Sequence, residues 1–557
     1  MRSRGIQMFR ENKDHLQQEL FNSYSWMNPK IQASLQGTWA PLFYEHVFCK
    51  IDETPFSCLY SLDNGRPNFP VNILLSLEFI KHMKDYTDED ILEQFRFNYQ
   101  IMYAVGLRNL GELYLAERTL YEFRRRVYRY TVENPDKDDL IFGQFEKLTA
   151  QFIELAGINT KEQRADSTQI MTNIKLAGRL SLAYDVLSQA VKTCPPELLT
   201  DSLKHVLEPE YKTKVLYRSR GSEAQKRIQE MIDLGIELVS ITEPNPDIRE
   251  LNAIVILQRF INDQAAFDSE KNTWKAKANK DIEADSLQSA YDQDVTYRKK
   301  GSKGHVGLVL NIAETCADEN PVQIITDYTV EKNRVGDAEM LAKRIPEIQK
   351  KMEVTDFYVD GGFFSGEVEK QAQDAGITIH YTDMTGKQPD PEKIPLTAFT
   401  IKDHKTVEAC PEGHAPYSCQ FNGKSNVILA HFDRNICSNC PRQGACPVKF
   451  RKNNTVLRVE QSAIFLAEAR ERKEDKRARK EAASKRTAIE GTNSSLKCSQ
   501  GAGKLKVRGK VKATLVTGMK IIGHNFKQIV RFFKGDIRKK ATEIVNNNNQ
   551  GVIVPIC

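Results

Sequence analysis

Apolar residues recur at helical spacing through the first quarter of the chain. Pro70-Val71-Asn72 opens an apolar run, Ile73–Met83, and Thr87-Asp88-Glu89-Asp90 supplies a cap for a further helix from Ile91. Thr119 is placed to cap LYEFRRRVYRY, and an amphipathic helix is expected over Leu140–Ala156. The period then changes: RADSTQI, centred on Asp166, reads as a strand. A long helical stretch follows, about residues 175–290, in which Leu176, Leu180, Ala183 and Leu187, then Ile228, Met231 and Ile232, mark core faces. Strand signals resume at Gly304–Ala313 and Val322–Val330. Asp337 precedes a helix with Leu341, Ile345, Ile348 and Met352 on one face, which Pro346 is expected to kink or split.

The most informative stretch is Val354–Gly366. Phe357-Tyr358-Val359 is aromatic and β-branched, which favours a buried strand. It ends on Asp360, and Gly361-Gly362 allows a sharp turn. Ser365 is placed to cap a helix that Gly376 stops, and Ile377–Tyr381 reads as another strand. This order sets an acidic side chain at the carboxyl end of a sheet, where open α/β folds hold ligands. Beyond it the pattern breaks into Pro-rich turns with short strands at Val427–Phe432 and Val456–Val459. A charged helix is expected over about Ile464–Ile489, then a period-2 stretch, Lys504–Lys512, with Leu505, Val507 and Val511 on one side.

Charge changes the picture next. The 557-residue chain carries +6, yet Lys497–Lys540 holds thirteen Lys/Arg against one acid, Asp536, so the remainder is net negative. Such asymmetry points to a polyanionic partner for the C-terminal part. The candidate backbone-binding residues are Lys504, Lys506, Arg508 and Lys510 there, and Arg124, Arg125 and Arg126 on the earlier helix. No apolar run is long enough to cross a membrane, and MRSRGIQMFRENKD lacks a signal-peptide core, so a cytoplasmic protein is expected. Reduced thiols fit that compartment. Five of the eleven cysteines crowd into Cys410–Cys446, a density that suggests a metal. Cys437-x2-Cys440 with Cys446 and an upstream thiol, Cys410 or Cys419, suits a tetrahedral structural zinc, with His414 as an alternative ligand. Cys410, Cys437, Cys440 and Cys446 are the expected set.

Three acids stand out by their settings: Asp166 on a strand, Asp360 at a strand end, and Glu490 on the charged helix. Arg486 lies four residues before Glu490 and Lys497 seven after, so a continuous helix presents all three on one face. Three converging carboxylates repel unless a divalent cation neutralises them, and oxygen ligands favour Mg2+ or Mn2+.

The chain resembles DDE transposases of bacterial insertion sequences. RADST is similar to the first-acid strand of that family, and YVDGGFFSGE to its second-acid strand and turn. Arg486-x3-Glu490-x6-Lys497 is similar to the Tyr-x2-Arg-x3-Glu-x6-Lys signature of one large group, with Ala483 at the tyrosine position. RPNFPVNILLSLEFI through TLYEFRRRVYRY is similar to the helical domain that precedes catalysis in these enzymes. The resemblance implies an α/β fold: a ribonuclease H-like mixed sheet with a helical N-terminal domain, a helical insertion and a cysteine-containing insertion. The expected division is 1–135 for the helical DNA-binding domain and 136–383 with 461–540 for the catalytic domain, interrupted at about 175–300. Residues 384–460 would form the cysteine-rich insertion and 541–557 a tail. It also implies that Asp166, Asp360 and Glu490 hold Mg2+ or Mn2+, that Arg486 and Lys497 hold phosphate, and that a homodimer acts on double-stranded DNA, both transposon ends and target. A nuclease without strand transfer and a catalytically silent DNA-binding regulator use the same residues differently.

Overall fold

The strand around Asp166 is the middle of a six-stranded mixed sheet. In the computed structural model β1 (Glu162–Ile170) is followed by β2 (Thr296–Lys300), β3 (Lys303–Thr315), β4 (Ile325–Lys332), β5 (Asp356–Val359) and β6 (Thr378–Tyr381). The order β4-β3-β1-β5-β6 places β3 antiparallel to both neighbours and β1, β5 and β6 parallel, with β2 continuing the β3 hairpin. This is a ribonuclease H-like fold, mixed α/β and 51% helical. The structure describes residues 9–17, 21–61, 67–137, 139–218, 221–384, 389–452, 454–472 and 476–549.

Gly307 in β3 shows how tightly the central strands lie. A Cβ there would sit 2.3 Å from the Ile170 carbonyl oxygen, and its φ of +155° is one that side chains rarely adopt.

One apolar core joins the N-terminal helices, one face of the sheet and the C-terminal helix. The helix Val71–Lys84 is buried from Val71 to Met83, so it needs cover on every side. Much of that cover is the helix Lys510–Asn549, which also packs on Leu140–Ala156. Phe526 meets Phe43 edge-on at 5.1 Å and Trp39 at 6.5 Å, the offset geometry that aromatic quadrupoles prefer. Residues 541–549, expected as tail, continue this helix, and 550–557 lie outside the described residues.

The helical insertion between β1 and β2 closes its own core through helices from Arg179–Thr193 to Asn252–Gln264, then ends in a hairpin, Ala265–Asp268 with Thr273–Ala276. The cysteine-bearing insertion follows β6. Its main sheet is four-stranded and antiparallel, with Val427–Phe432 and Thr455–Glu460 at its centre.

Four local expectations are corrected. Pro346 lies inside an unbroken helix, Asp337–Lys351. The helix read as capped by Thr119 starts earlier, at Glu117, because Ala116 is the last extended residue. The charged helix is divided into Gln461–Glu471, Lys476–Thr487 and Ile489–Ser494, ending in a wider π-helical turn, Ser495–Ser499. The period-2 stretch forms a single parallel bridge, Lys504 to Met171, before the C-terminal helix begins at Lys510.

Candidate active site

Strand register alone brings two acids together. Glu162, Gln163 and Arg164 on β1 pair with Asp356, Phe357 and Tyr358 on β5. The same offset, continued past the last pair, sets Asp166 beside Asp360. Asp360 ends its strand and caps a 3-10 turn, Gly361–Phe363, where Oδ1 accepts a hydrogen bond from the Gly362 N–H at 2.8 Å. A Cβ on Gly362 would lie 3.0 Å from that oxygen, so the glycine lets the carboxylate fold back on its own turn. Ser365 caps the next helix as expected, accepting from the Val368 N–H.

The third acid arrives on the paired helices Lys476–Thr487 and Ile489–Ser494. Gly491-Thr-Asn-Ser is a poor helical sequence, and tertiary bonds hold it in shape. Thr492 Oγ1 donates to Glu314 Oε1 at 2.7 Å, while Glu314 Oε2 takes the Arg164 guanidinium at 2.8 Å. Arg164 Nη1 in turn donates to the Lys485 carbonyl at 2.8 Å, and Lys485 pairs with Glu162. Burial raises the Glu314 pKa while Arg164 opposes that rise. These bonds clamp the helix across β1 and β3.

Arg486 is the hub of the site. Its Nη1 lies 2.8 Å from Glu490 Oε1, and its Nη2 lies 3.2 Å from Asp166 Oδ1 and 3.4 Å from Asp360 Oδ2. One planar guanidinium therefore touches all three carboxylates, a reach that its fixed fork of donors permits. Asn493, not among the expected site residues, donates from Nδ2 to Asp166 Oδ2 at 3.1 Å. Its spacing of three residues from Glu490 was the available signal. Two buried polar atoms here have no hydrogen-bond partner among the described residues: Arg486 Nε, a donor, and Asn493 Oδ1, an acceptor. Burial pushes the Asp166 pKa up; Arg486 counters it, and nearby Asp360 adds to the rise.

Two comparisons with family models match this chain. Residues 409–530 match the model described as a transposase DDE domain, and residues 38–126 match that of a transposase domain, DUF772. Both matches support a DDE transposase of an insertion sequence. Neither the curated proteins nor the solved structures gave a match. The longer matched segment contains Arg486, Glu490, Lys497 and the cysteine cluster, whereas Asp166 and Asp360 lie outside it. Their pairing with Glu490 therefore rests on geometry. As a family these enzymes act on DNA and generally use a divalent metal.

Two further acids near the sheet, Asp327 and Asp337, are engaged elsewhere. Asp327 is buried and bonded to Arg344, with Nε at 2.8 Å. Asp337 pairs with Arg298 at 3.3 Å, although it stands close to the Asp360 turn: its Oδ2 is 3.5 Å from where a Gly362 Cβ would be. Lys497 lies off the three-acid cluster, in a groove lined by Ser167–Met171, Arg298, Lys300, His305 and Gly503.

The expectation for Arg124 is corrected. Its guanidinium is committed to buried Glu78 at 2.6 Å and to Asp88 at 2.6 Å, part-buried between helices. Arg125 is exposed and pairs with Glu122, and Arg126 stacks on Tyr60. Among the tail cations, Lys504 and Lys506 are exposed. Arg508 donates to the Asn173 carbonyl, and Lys510 pairs with Glu331 at 2.6 Å.

Cys410, Cys437, Cys440, Cys446 and His414 line one pocket in the cysteine-bearing insertion. Burial raises the Cys437 and Cys446 thiol pKa values, and the neighbouring sulfurs of the cluster add to the rise. Cys419 stands apart, its Sγ accepting from the Val407 N–H at 3.3 Å. Arg442 and Glu412, paired at 2.7 Å, tie the two cysteine loops together. Among the described residues no group of three or more His, Cys, Asp or Glu side chains is already set at metal-ligand geometry, here or at the three acids. At the acids a guanidinium stands between the carboxylates.

Proposed function

We propose that this transposase cuts DNA at transposon ends and joins the freed 3′ ends to target DNA, with Asp166, Asp360 and Glu490 as the catalytic acids. The observation that carries the reading is the contact of all three with one guanidinium. Carboxylates from β1, β5 and a distant helix meet at a point that already requires positive charge. The donor set is all hard oxygen, which fits Mg2+ or Mn2+, and Arg486 stands in for that charge. Bound between the acids, the metal would activate the attacking oxygen and stabilise the leaving one.

The protein's own groups do the rest. Asn493 and Arg486 hold Asp166 in orientation, and the Gly362 N–H holds Asp360. Arg486 Nε is a buried donor still lacking an acceptor, suited to a phosphate oxygen arriving at the acids. Lys497, in the groove beside β1, would take a phosphate farther along the strand. Arg125, Arg126, Lys504, Lys506 and Arg508 would add salt-dependent backbone affinity. A structural zinc on Cys410, Cys437, Cys440 and Cys446 would order the insertion, its four thiolates being a complete tetrahedral set. A homodimer would bring two ends to one target.

The test is strand transfer with end-bearing duplexes, comparing the natural protein with Asp360→Asn. Loss of cut and joined products with DNA binding kept is expected. Activity unchanged in Asp360→Asn would refute the assignment of Asp360. Cutting without joining in the natural protein would leave a nuclease, and neither product would leave a DNA-binding regulator.

A further inference from the structure

The hairpin of β2 and β3 carries a second feature that points to DNA. Its tip reads Tyr297-Arg-Lys-Lys-Gly-Ser-Lys-Gly-His305, four Lys/Arg and no acid. Register places Lys300 directly opposite Lys303, with Lys299 opposite Gly304 and Arg298 opposite His305. Like charges facing one another across a hairpin destabilise it. Lys299, Lys300 and Lys303 are exposed, and none has an acidic partner among the described residues. Local stability is thus poorly served by this sequence, which fits a segment evolved to meet a polyanion.

The hairpin is nevertheless held firmly at its base. The Tyr297 ring lies so close over Gly304 that a Cβ there would be 2.6 Å from it. Arg298 is paired with Asp337, whose carboxylate stands beside the Asp360 turn. The lysines therefore project from a support that is tied to the acids. Lys300, Arg298 and His305 line the same groove as Lys497, and that groove begins at Ser167, the neighbour of Asp166.

We propose that Lys299, Lys300 and Lys303 at this tip form, with Lys497, a rail that grips the phosphate backbone of the DNA duplex flanking the scissile phosphate. The proposal rests on the transposase reading for the identity of the duplex. The rail touches phosphate alone, so it contributes affinity and register without sequence preference.

The test compares the natural protein with the triple variant K299A/K300A/K303A on a 30-base-pair duplex of arbitrary sequence across a salt series. Each lysine–phosphate pairing removed should lower the slope of log affinity against log salt by about 0.9. The triple variant should therefore show a slope shallower by roughly 3, together with a thermal midpoint in the absence of DNA no lower than the natural protein's. An unchanged slope would overturn the rail. A variant that failed to bind only because it had unfolded would show a lowered midpoint, and Lys303→Ala alone, with a slope change near 1 expected, then decides the matter. Should the natural protein neither cut nor join ends while the slope still falls, the catalytic reading fails and the rail stands. An unchanged slope beside normal strand transfer gives the reverse.

Discussion

Replacing Arg486 with alanine should destabilise the folded protein before any reaction is considered. The substitution removes the only cation touching Asp166, Asp360 and Glu490 among the described residues. The three ion pairs are not equal. Glu490 is 59% exposed and sits one helical turn away, so its share is small, about 0.3–0.5 kcal/mol as for other i,i+4 pairs. Asp360, a third exposed, is screened to about 1 kcal/mol. Asp166 is 13% exposed, and stripping the partner from such a group costs about 2 kcal/mol, below the 3–5 of a fully buried pair. The total is about 3 kcal/mol. At ~2–4 °C per kcal/mol for a domain of a few hundred residues, the melting temperature should fall by roughly 6 °C or more. Differential scanning calorimetry without divalent ions reads this directly. Lysine should recover only part, because an ammonium is a point charge that lacks the three-way reach of the fork. Added Mg2+ should stabilise Arg486→Ala more than the natural protein, since the ions then supply the missing charge. A melting temperature for Arg486→Ala within 1–2 °C of the natural protein's in metal-free buffer, less than one kcal/mol at that scale, would refute the hub.

Acid should loosen the C-terminal helix. Burial, reinforced by Lys527 and Arg531, pulls the His524 pKa down to about 4, so its stabilising neutrality is complete above the unfolded value of 6.5 and disappears as pH falls from there toward 4. Between pH 7.5 and 5.5 this residue alone should cost about 1 kcal/mol in urea unfolding, and His524→Gln should shrink that loss; an identical pH response in both proteins would count against it. For the cysteine cluster, protein purified under reducing conditions should carry one zinc per chain by atomic absorption, and Cys437→Ser should release it and expose residues 405–450 to protease. Absence of zinc from the natural protein would end that reading.

Much of the site was legible because its parts are local. Asp360 follows an aromatic strand and precedes a glycine turn and a serine cap, and each of those signals lies within ten residues. What the pattern withheld was long-range. Nothing near Asn493 says that its amide will reach Asp166, 327 residues away, nor that Thr492 will be held by Glu314 strongly enough to keep a glycine-bearing segment helical. Arg124 misled for the same reason: its charge is visible in sequence, while its partners Glu78 and Asp88 arrive from other helices. The β2 strand escaped notice because Tyr297-Arg-Lys-Lys has too few apolar positions to show a period, and it pairs through backbone groups that every residue carries.

The helix that begins at Lys510 has a bearing on how the chain reaches this state during synthesis. The Val71–Lys84 segment leaves the ribosome more than 400 residues before the element that roofs it. Until then a largely apolar helix lacks its final neighbour, the sort of surface that chaperones bind and that aggregates when unattended. A product truncated before Lys510 would leave that helix without this cover.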